Sequence, residues 1–520
     1  MCLLSPLGIY FKPANIYSNF LSIMIFSPSK ESISSLLNLL GRLLCFLGLL
    51  FLVPAAIALF LGENPALFDF LTSLFITETI GLLFLLFFPY KQDLDYSLAF
   101  LLVALVWLIL PLFSALPLWF SGHFKSFLDA FFDSMSGFTT TGLSLIRDLD
   151  HLSYSHNFFR HFIMFLGGQG IIIVALSFSQ KASSYGVGLY VGEARQERIL
   201  PSIISTSRFI WTVTLVYFVI GSLLLFLLGL KTGLPCKKAL FHGMFLFMAG
   251  FDTGGFTPQT LNLSYYHSLS LELATLIVML LGSLNFNLHY FLWRKNPKEI
   301  LKNIETRTFF ISFSLLFIFL NLTLALSSKL PLLELFRKGL YQILTAHTGC
   351  GFSNLTVSQL KSWPEGSLVF IIIAMALGGG VGSTTGGIKL MRIGLLFKSI
   401  VAEVKTWIFP VQVKMQEKYH HLQDFLLEDR RVKLAFIVFF FYLLSYLGGA
   451  VIGVLLGYPF LPALFESTSA SANVGLTLGI TSPQMPVLLK LTYIIQMWAG
   501  RLEFVSVVAS LGIIISLFKK

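Results

Sequence analysis

Four short polar stretches in this 520-residue chain have residue types suited to one kind of chemistry, the holding of a cation by backbone oxygen. They read Phe138-Thr-Thr-Thr-Gly142-Leu143, Phe251-Asp-Thr-Gly-Gly255-Phe256, His347-Thr-Gly-Cys-Gly351-Phe352 and Ser471-Ala-Asn-Val-Gly475-Leu476. Glycine suits this task because a backbone with its carbonyls turned inward often needs dihedrals that a Cβ forbids. When the four are aligned on their last glycines, their surroundings align too. The residue ten before the glycine is aromatic each time: Phe132, Phe245, Tyr341 and Phe465. In the first and last copies the next residue is acidic (Asp133, Glu466) and is followed by serine (Ser134, Ser467). The glycines are spaced 255 − 142 = 113, 351 − 255 = 96 and 475 − 351 = 124 residues apart. One unit used four times accounts for this pattern.

Two further features carry chemistry. Leu377-Gly-Gly-Gly-Val-Gly-Ser-Thr-Thr-Gly-Gly-Ile-Lys-Leu-Met-Arg392 holds Gly378, Gly379, Gly380, Gly382, Gly386 and Gly387 around Ser383, Thr384 and Thr385. Glycine costs a helix about 1 kcal/mol per residue against alanine, so this stretch reads as a break in a helix. It is not a phosphate loop: it lacks the Gly-Lys-Ser/Thr ending and follows an apolar helix instead of a strand. Lys389 reads as an end-of-helix cation at the interface. Arg501 lies inside the last apolar run, and an intramembrane charge marks function by default. Glu503 is two residues away, which on a helix is the wrong face for a partner. Arg501 is therefore expected to face the pathway near the glycine-rich stretch, with a structural ion pair as the competing role. Asp252 suits either a cation-attracting mouth or a turn cap. Asp133 and Glu466 suit acceptors that pin the polar loops. His420-His421 falls in a basic connection and reads as solvated. No His-Glu-x-x-His, Cys-x-x-Cys or nucleophile elbow appears, so nothing points to an enzyme or an organic cofactor.

The elements that must position these residues follow from composition. The chain is 56% hydrophobic and 12% charged, with mean hydropathy +0.81. Soluble domains carry about a quarter charged residues. Runs of about 20 apolar residues, the length that crosses a bilayer, recur throughout, and they do not alternate as barrel strands would. The expected fold class is an all-α polytopic membrane protein. Two spans, Leu36–Leu61 and Phe68–Phe88, precede the repeats. Each repeat reads as helix, half-length helix, polar loop, helix. In the first these are Ser97–Leu118, Phe124–Gly137 and Asn157–Phe178. In the second they are Phe209–Leu230, Lys238–Ala249 and Leu269–Trp293. The third has Phe309–Leu326, Leu332–Ala346 and Ser367–Lys389, and the fourth Leu434–Gly457, Leu461–Ala470 and Leu488–Leu517. The units are 1–35 (an extension), 36–95 (a two-helix appendix), then repeats at 96–206, 207–305, 306–430 and 431–520. The formal charge of +11 sets orientation and does not point to nucleic acid. Lys and Arg between repeats two and three, between three and four, and at Lys519-Lys520 fall on one side, which is then cytoplasmic. Both termini lie inside, and the four loops enter from outside.

Non-helical backbone at membrane depth must be buried in protein or line a wet cavity. Four half-helices meeting on one axis let loop carbonyls replace a cation's water, the logic of a potassium-channel filter. The four loops, the glycine-rich segment and Met497-Trp-Ala-Gly-Arg501-Leu-Glu503 together resemble the Trk/Ktr/HKT superfamily of potassium transporters, and most closely its bacterial Trk branch. The resemblance runs from about residue 36 to the end, and the two leading helices suit the Trk branch.

That resemblance implies one pseudo-fourfold pore per chain. It places Thr140, Thr141 and Gly142; Thr253, Gly254 and Gly255; Gly349, Cys350 and Gly351; and Asn473, Val474 and Gly475 in a potassium-binding filter. It makes 377–389 an intramembrane gating loop with Arg501 beside it. The transported ion is potassium, with Gly142 favouring it over sodium because sodium-preferring relatives tend to carry serine there. A sodium-permeable or proton-coupled relative is the alternative. The implied assembly is a homodimer in the inner (plasma) membrane with a cytoplasmic nucleotide-binding regulatory ring. The basic connections would serve as docking surfaces, topology signals or lipid contacts.

Overall fold

The computed structural model describes residues 28–170, 189, 202–294, 296–327, 331–408 and 417–518. The expected extension falls mostly outside these residues, as does the end of the Asn157–Phe178 helix. Two leading spans form a hairpin. The first is α1 (Lys30–Leu50) continued by α2 (Leu52–Leu61), and the second is α3 (Asn64–Phe87). The step between α1 and α2 has a cause: Pro54 has no N–H for the Leu50 carbonyl and crowds it. Gly41 and Gly81 let α1 and α3 approach closely, since a Cβ at Gly41 would press on Phe84 and the Gly81 carbonyl. Small residues serve this purpose in membrane helices, where apolar burial does not drive association.

The first repeat has α4 (Tyr96–Phe120), the half-length α5 (Phe127–Phe138) and α6 (Tyr154–Gln169). The second has α7 (Ile203–Lys231), α8 (Cys236–Phe251), α9 (Leu269–Ser283) and α10 (Phe286–Trp293). After the short α11 (Lys298–Lys302), the third has α12 (Ile304–Ser327), α13 (Leu332–His347), α14 (Val357–Lys361), α15 (Glu365–Ala376) and α16 (Leu390–Ile408). The fourth has α17 (Asp429–Leu455), α18 (Phe460–Ser471), α19 (Val487–Arg501) and α20 (Val505–Phe518). Among the described residues six continuous helices are long and apolar enough to cross a membrane: α1–α2 together, α3, α4, α7, α12 and α17.

The closing helix of a repeat does not run straight. The spans expected over Leu269–Trp293 and Leu488–Leu517 are each two helices, bent by 104° between α9 and α10 and by 108° between α19 and α20. At the first bend the Asn285 side chain caps a new helix by accepting from the Asn287 N–H. At the second, Glu503 (φ 50) and Phe504 (φ 65) leave helical space. In the third repeat α15 ends at Ala376, and the glycine-rich stretch follows.

The repeats form a closed ring. The closing helix of each packs against the half-length helix of the next: α6 on α8, α9 on α13, α15 on α18, and α19 back on α5. The last helix, α20, packs on α4. The four aligned aromatics Phe132, Phe245, Tyr341 and Phe465 are all buried at the heart of this ring.

The described part of the connection after α16, from residue 417 on, is folded rather than solvated. Strands β1 (Lys418–His421) and β2 (Gln423–Leu426) make an antiparallel hairpin. His421 is buried with its ring against Asn303. His420 lies between Glu299 (2.9 Å) and Asp424 (2.7 Å). The solvated reading of this pair is corrected: the packing partners come from α11 and its end, more than a hundred residues away.

Candidate ion pathway

Each half-length helix ends in the same way. The residue after the helix stays near helical dihedrals: Thr139, Asp252, Thr348 and Ala472. The next turns left-handed: Thr140 (φ 55), Thr253 (φ 50), Gly349 (φ 68) and Asn473 (φ 55). In the first repeat the N–H groups of Thr140 and Thr141 bond back to Gly137 and Ser136. Thr253 and Gly254 bond back to Gly250 and Ala249, Gly349 and Cys350 to Ala346 and Thr345, and Asn473 and Val474 to Ala470 and Ser469. This is the Schellman pattern four times over. It turns the loop donors toward their own helix.

The last glycine of each loop is left-handed again, with φ of 87° at Gly142, 72° at Gly255, 80° at Gly351 and 94° at Gly475. A Cβ there would come under 3.0 Å from a carbonyl oxygen of the next repeat. The contacts run Gly142 to Gly254, Gly255 to Cys350, Gly351 to Val474, and Gly475 back to Thr141. The twelve expected residues thus stand in one closed ring of four equivalent strands. Among the described residues, no hydrogen bond is donated to the carbonyls of Thr141, Gly254, Cys350 or Val474. The half-helix C-termini converge here, and a helix C-terminus carries about half a negative charge. Carbonyls and helix ends together favour a cation over an anion.

Buried groups hold the strands from behind. Asp133 accepts from Arg160 Nε at 2.8 Å and from the Ser144 hydroxyl just past the first loop. Glu466 accepts from Thr477 Oγ1 (2.5 Å), Leu478 N (2.9 Å), Ile480 N (3.1 Å) and Thr481 Oγ1 (2.6 Å) past the fourth. In the third repeat Gln342 stands at the equivalent place and donates to Ser353 Oγ and Asn354 Oδ1 at 3.0 and 3.1 Å. The second repeat has apolar Leu246 there. Asp252 does not face an open mouth: it is fully buried and accepts from Gln169 Nε2 at 2.6 Å, at the C-terminal end of α6.

Below the ring lies the glycine-rich stretch. It closes on itself through a bridge between Leu377 and Ile388 and a Gly378 N–H bond to the Ile388 carbonyl. Thr384 Oγ1 lies 3.0 Å from both the Phe251 and Gly282 carbonyls and 3.2 Å from Thr253 Oγ1. A Cβ at Gly386 would press on the Ala472 carbonyl, and one at Gly379 on the Ser283 carbonyl. Gly380 N bonds Ser283 O at 3.0 Å, and the Thr385 hydroxyl accepts from Gly379 N at 2.9 Å. Ser383 Oγ bonds the Gly380 carbonyl, and Gly382 (φ 70) and Gly387 (φ 69) supply left-handed turns. The interfacial reading of Lys389 is corrected: its side chain is buried and its Nζ donates to the Thr385 carbonyl. Curling back into the loop satisfies the ammonium where water is excluded.

Arg501, from the fourth repeat, meets the first and the third at once. Its Nη1 donates to Thr140 Oγ1 (3.2 Å) and the Thr384 carbonyl (2.7 Å), and its Nη2 to the Gly167 (2.5 Å) and Gly168 (3.1 Å) carbonyls. Its guanidinium also lies over the Trp107 ring, 5.4 Å from the centroid. Glu503 pairs instead with Arg392, five residues past Gly387 and in the first turn of α16. Sequence reasoning missed that pair, the Gln342 support, and three glycines of the closing helices. A Cβ at Gly167, Gly282 or Gly500 would collide with the end carbonyl of its own repeat's half-helix, at Phe138, Phe251 or Ser471. These glycines sit 25 to 27 residues after the loop glycines at 142, 255 and 475, a signal that was present in the sequence.

Comparison with known proteins agrees with this geometry. Residues 68–515 match the family described as TrkH, cation transport protein. An uncharacterized cation transporter of Methanocaldococcus jannaschii is 32% identical over 92% of this chain and 95% of its own. The Trk system potassium uptake protein TrkG of Escherichia coli K12 is 27% identical over 91% and 96%. The crystal structure of the potassium transporter TrkH from Vibrio parahaemolyticus superposes with a TM-score of 0.79 at 26% identity, covering 92% of this chain and 98% of that one. The chain belongs to the TrkH family of cation transport proteins.

Proposed function

We propose that this protein takes up potassium through the ring of four loops, which acts as a selectivity filter. The observation that carries the reading is the closed cycle of glycine-on-carbonyl contacts from Gly142 through Gly255, Gly351 and Gly475 back to Thr141. Such a cycle fixes the spacing of the carbonyls of Thr140–Gly142, Thr253–Gly255, Gly349–Gly351 and Asn473–Gly475 around one axis. Residues 377–389 form the gate, and Arg501 clamps it shut by tying Thr384 to Thr140 and to the end of α6. The repeats 96–206, 207–305, 306–430 and 431–520 are its four quarters, with 36–95 as a supporting hairpin. The protein works as a homodimer in the inner membrane with both termini cytoplasmic, under control of a cytoplasmic nucleotide-binding ring. The names of the relatives support potassium as the ion.

The test is rubidium and sodium uptake into cells lacking their own potassium systems, with wild type beside Gly142→Ser and Arg501→Ala. Wild type should rescue growth on low potassium and take up rubidium. Gly142→Ser should lose discrimination against sodium, because its Cβ pushes the Gly254 carbonyl out of the ring. Arg501→Ala should raise basal flux. Equal sodium and rubidium uptake by wild type would replace the potassium reading with the sodium-permeable one.

A further inference from the structure

A cavity of about 290 Å³ lies at the bend between α9 and α10. Its walls are apolar, among them Ile277, Leu284, Leu288 and Phe310. Its back is made by Gly380 of the glycine-rich loop and Glu305 of α12. Glu305 Oε1 accepts from Val381 N at 2.6 Å, and Asn285 Nδ2 donates to Glu305 Oε2 at 3.3 Å. The mouth opens outward between Ile277 of α9 and Phe310 of the apolar α12, which are 57% and 55% exposed. Ile300 of α11 lines its edge, and Arg294, Lys298, Lys302 and Arg307 flank it in sequence and are exposed, with Asp424 of the hairpin near Lys302. The acid on the same short helix does not offset them, because Glu299 is turned inward onto His420.

We propose that this cavity holds an acyl-chain segment of an anionic phospholipid from the cytoplasmic leaflet, with the headgroup on Lys298 and Lys302, and that its occupancy bears on the glycine-rich loop. The second half rests on the gating reading above. A volume near the low end of ligand pockets suits a chain segment rather than a whole lipid. Apolar contact alone does not select an occupant within a bilayer, because one tail exchanges for another. Selection comes from the headgroup, and lysines beside the cytoplasmic leaflet favour an anionic one. An occupant pressing on Glu305 moves the acceptor of the Val381 N–H, and with it the loop beneath the filter.

The experiment uses the purified full-length protein in phosphatidylcholine bilayers with rising phosphatidylglycerol. Retained lipid is read by native mass spectrometry, and rubidium flux by liposome uptake. Wild type should retain phosphatidylglycerol over phosphatidylcholine, and its flux should change with phosphatidylglycerol content. Each of Lys298→Gln and Lys302→Gln should weaken that preference about fivefold. Ile277→Trp, which closes the mouth from the exposed side, should abolish retention and the flux response together. Equal retention of the two lipids by wild type overturns the proposal, and so does a preference unchanged in all three variants. A second copy covering the mouth would give no retention and a change of oligomeric state in Ile277→Trp, and that also overturns it. Flux indifferent to phosphatidylglycerol in a rubidium-transporting protein overturns the coupling. Retention as expected with no rubidium flux in wild type or in Arg501→Ala leaves the lipid site standing and removes the transport reading.

Discussion

Arg160 and Asp133 show what a single buried residue does here. Both are essentially inaccessible, and the pair fixes the strand beyond the first loop through Ser144. Removing one member of such a pair leaves an uncompensated charge and costs about 3–5 kcal/mol. Arg160→Met should therefore lower the melting temperature in detergent markedly. The double change Arg160→Met, Asp133→Asn should be less damaging than the sum of the singles, because the two act as a unit. Additive losses in a double-mutant cycle would show that the pair is not coupled. The acids at 133 and 466 were legible from their alignment as anchors for the loops. Gln342 was not, because an amide does the same job and the alignment was read for charge. Nor was the Arg392–Glu503 pair, since residues 111 positions apart share no pattern. The repeated loop glycines were legible because their conformation requires glycine, and the geometry repeats.

Elements bend where the sequence gives weak signals. The half-length helices were legible from their length and from the polar loops that end them. The breaks after Ser283 and Arg501 were not, because apolar runs continue across both and periodicity does not register a turn made by Asn285 or by Leu502–Phe504. Folded structure outside the apolar helices was also hidden, since the β1–β2 hairpin lies in a basic stretch that composition alone reads as solvated. That hairpin makes a prediction of its own. The hydrogen bond to Asp424, then that to Glu299, raises the His420 pKa above its usual value, and the same bond lowers Asp424. A raised histidine contributes stability that is complete below its unfolded pKa and is lost as pH rises through the folded one. A lowered aspartate contributes above its unfolded pKa and loses that contribution as pH falls through the folded one. The hairpin should hold to α11 best in mildly acidic solution and loosen toward alkaline pH. Hydrogen exchange over 417–427 should quicken, beyond its intrinsic rise, as pH passes through the His420 transition. In His420→Gln that excess should vanish, and if it persists the histidine is not the latch.

For the whole molecule the question is what moves the ion. A single pathway with no coupled step brings rubidium only to electrochemical equilibrium. The membrane potential contributes about 2.3 kcal/mol per charge per 100 mV, or about fiftyfold accumulation. Arg501→Ala protein in liposomes held at a set potential should approach that ratio and stop there. Accumulation well beyond it, collapsing with a proton ionophore at clamped potential, would establish proton coupling instead. The ring closure that supports this reading was legible as four repeats. Their order around the axis came only from the contacts, because spacing along a chain does not say which unit neighbours which.

Joining the four quarters in one polypeptide has a consequence for how the pathway is controlled. In an assembly of four identical subunits, any side chain brought to the axis arrives four times. Four guanidinium groups under the ring of loops would set a charge of four in one narrow place and repel one another as well as any entering cation. Covalent linkage frees each quarter to diverge. Arg501 comes from the fourth alone, the glycine-rich loop from the third alone, and Thr140 and the end of α6 receive them from the first. On the proposed reading the barrier is a single charge on a single hinge, and one discrete rearrangement is enough to lift it.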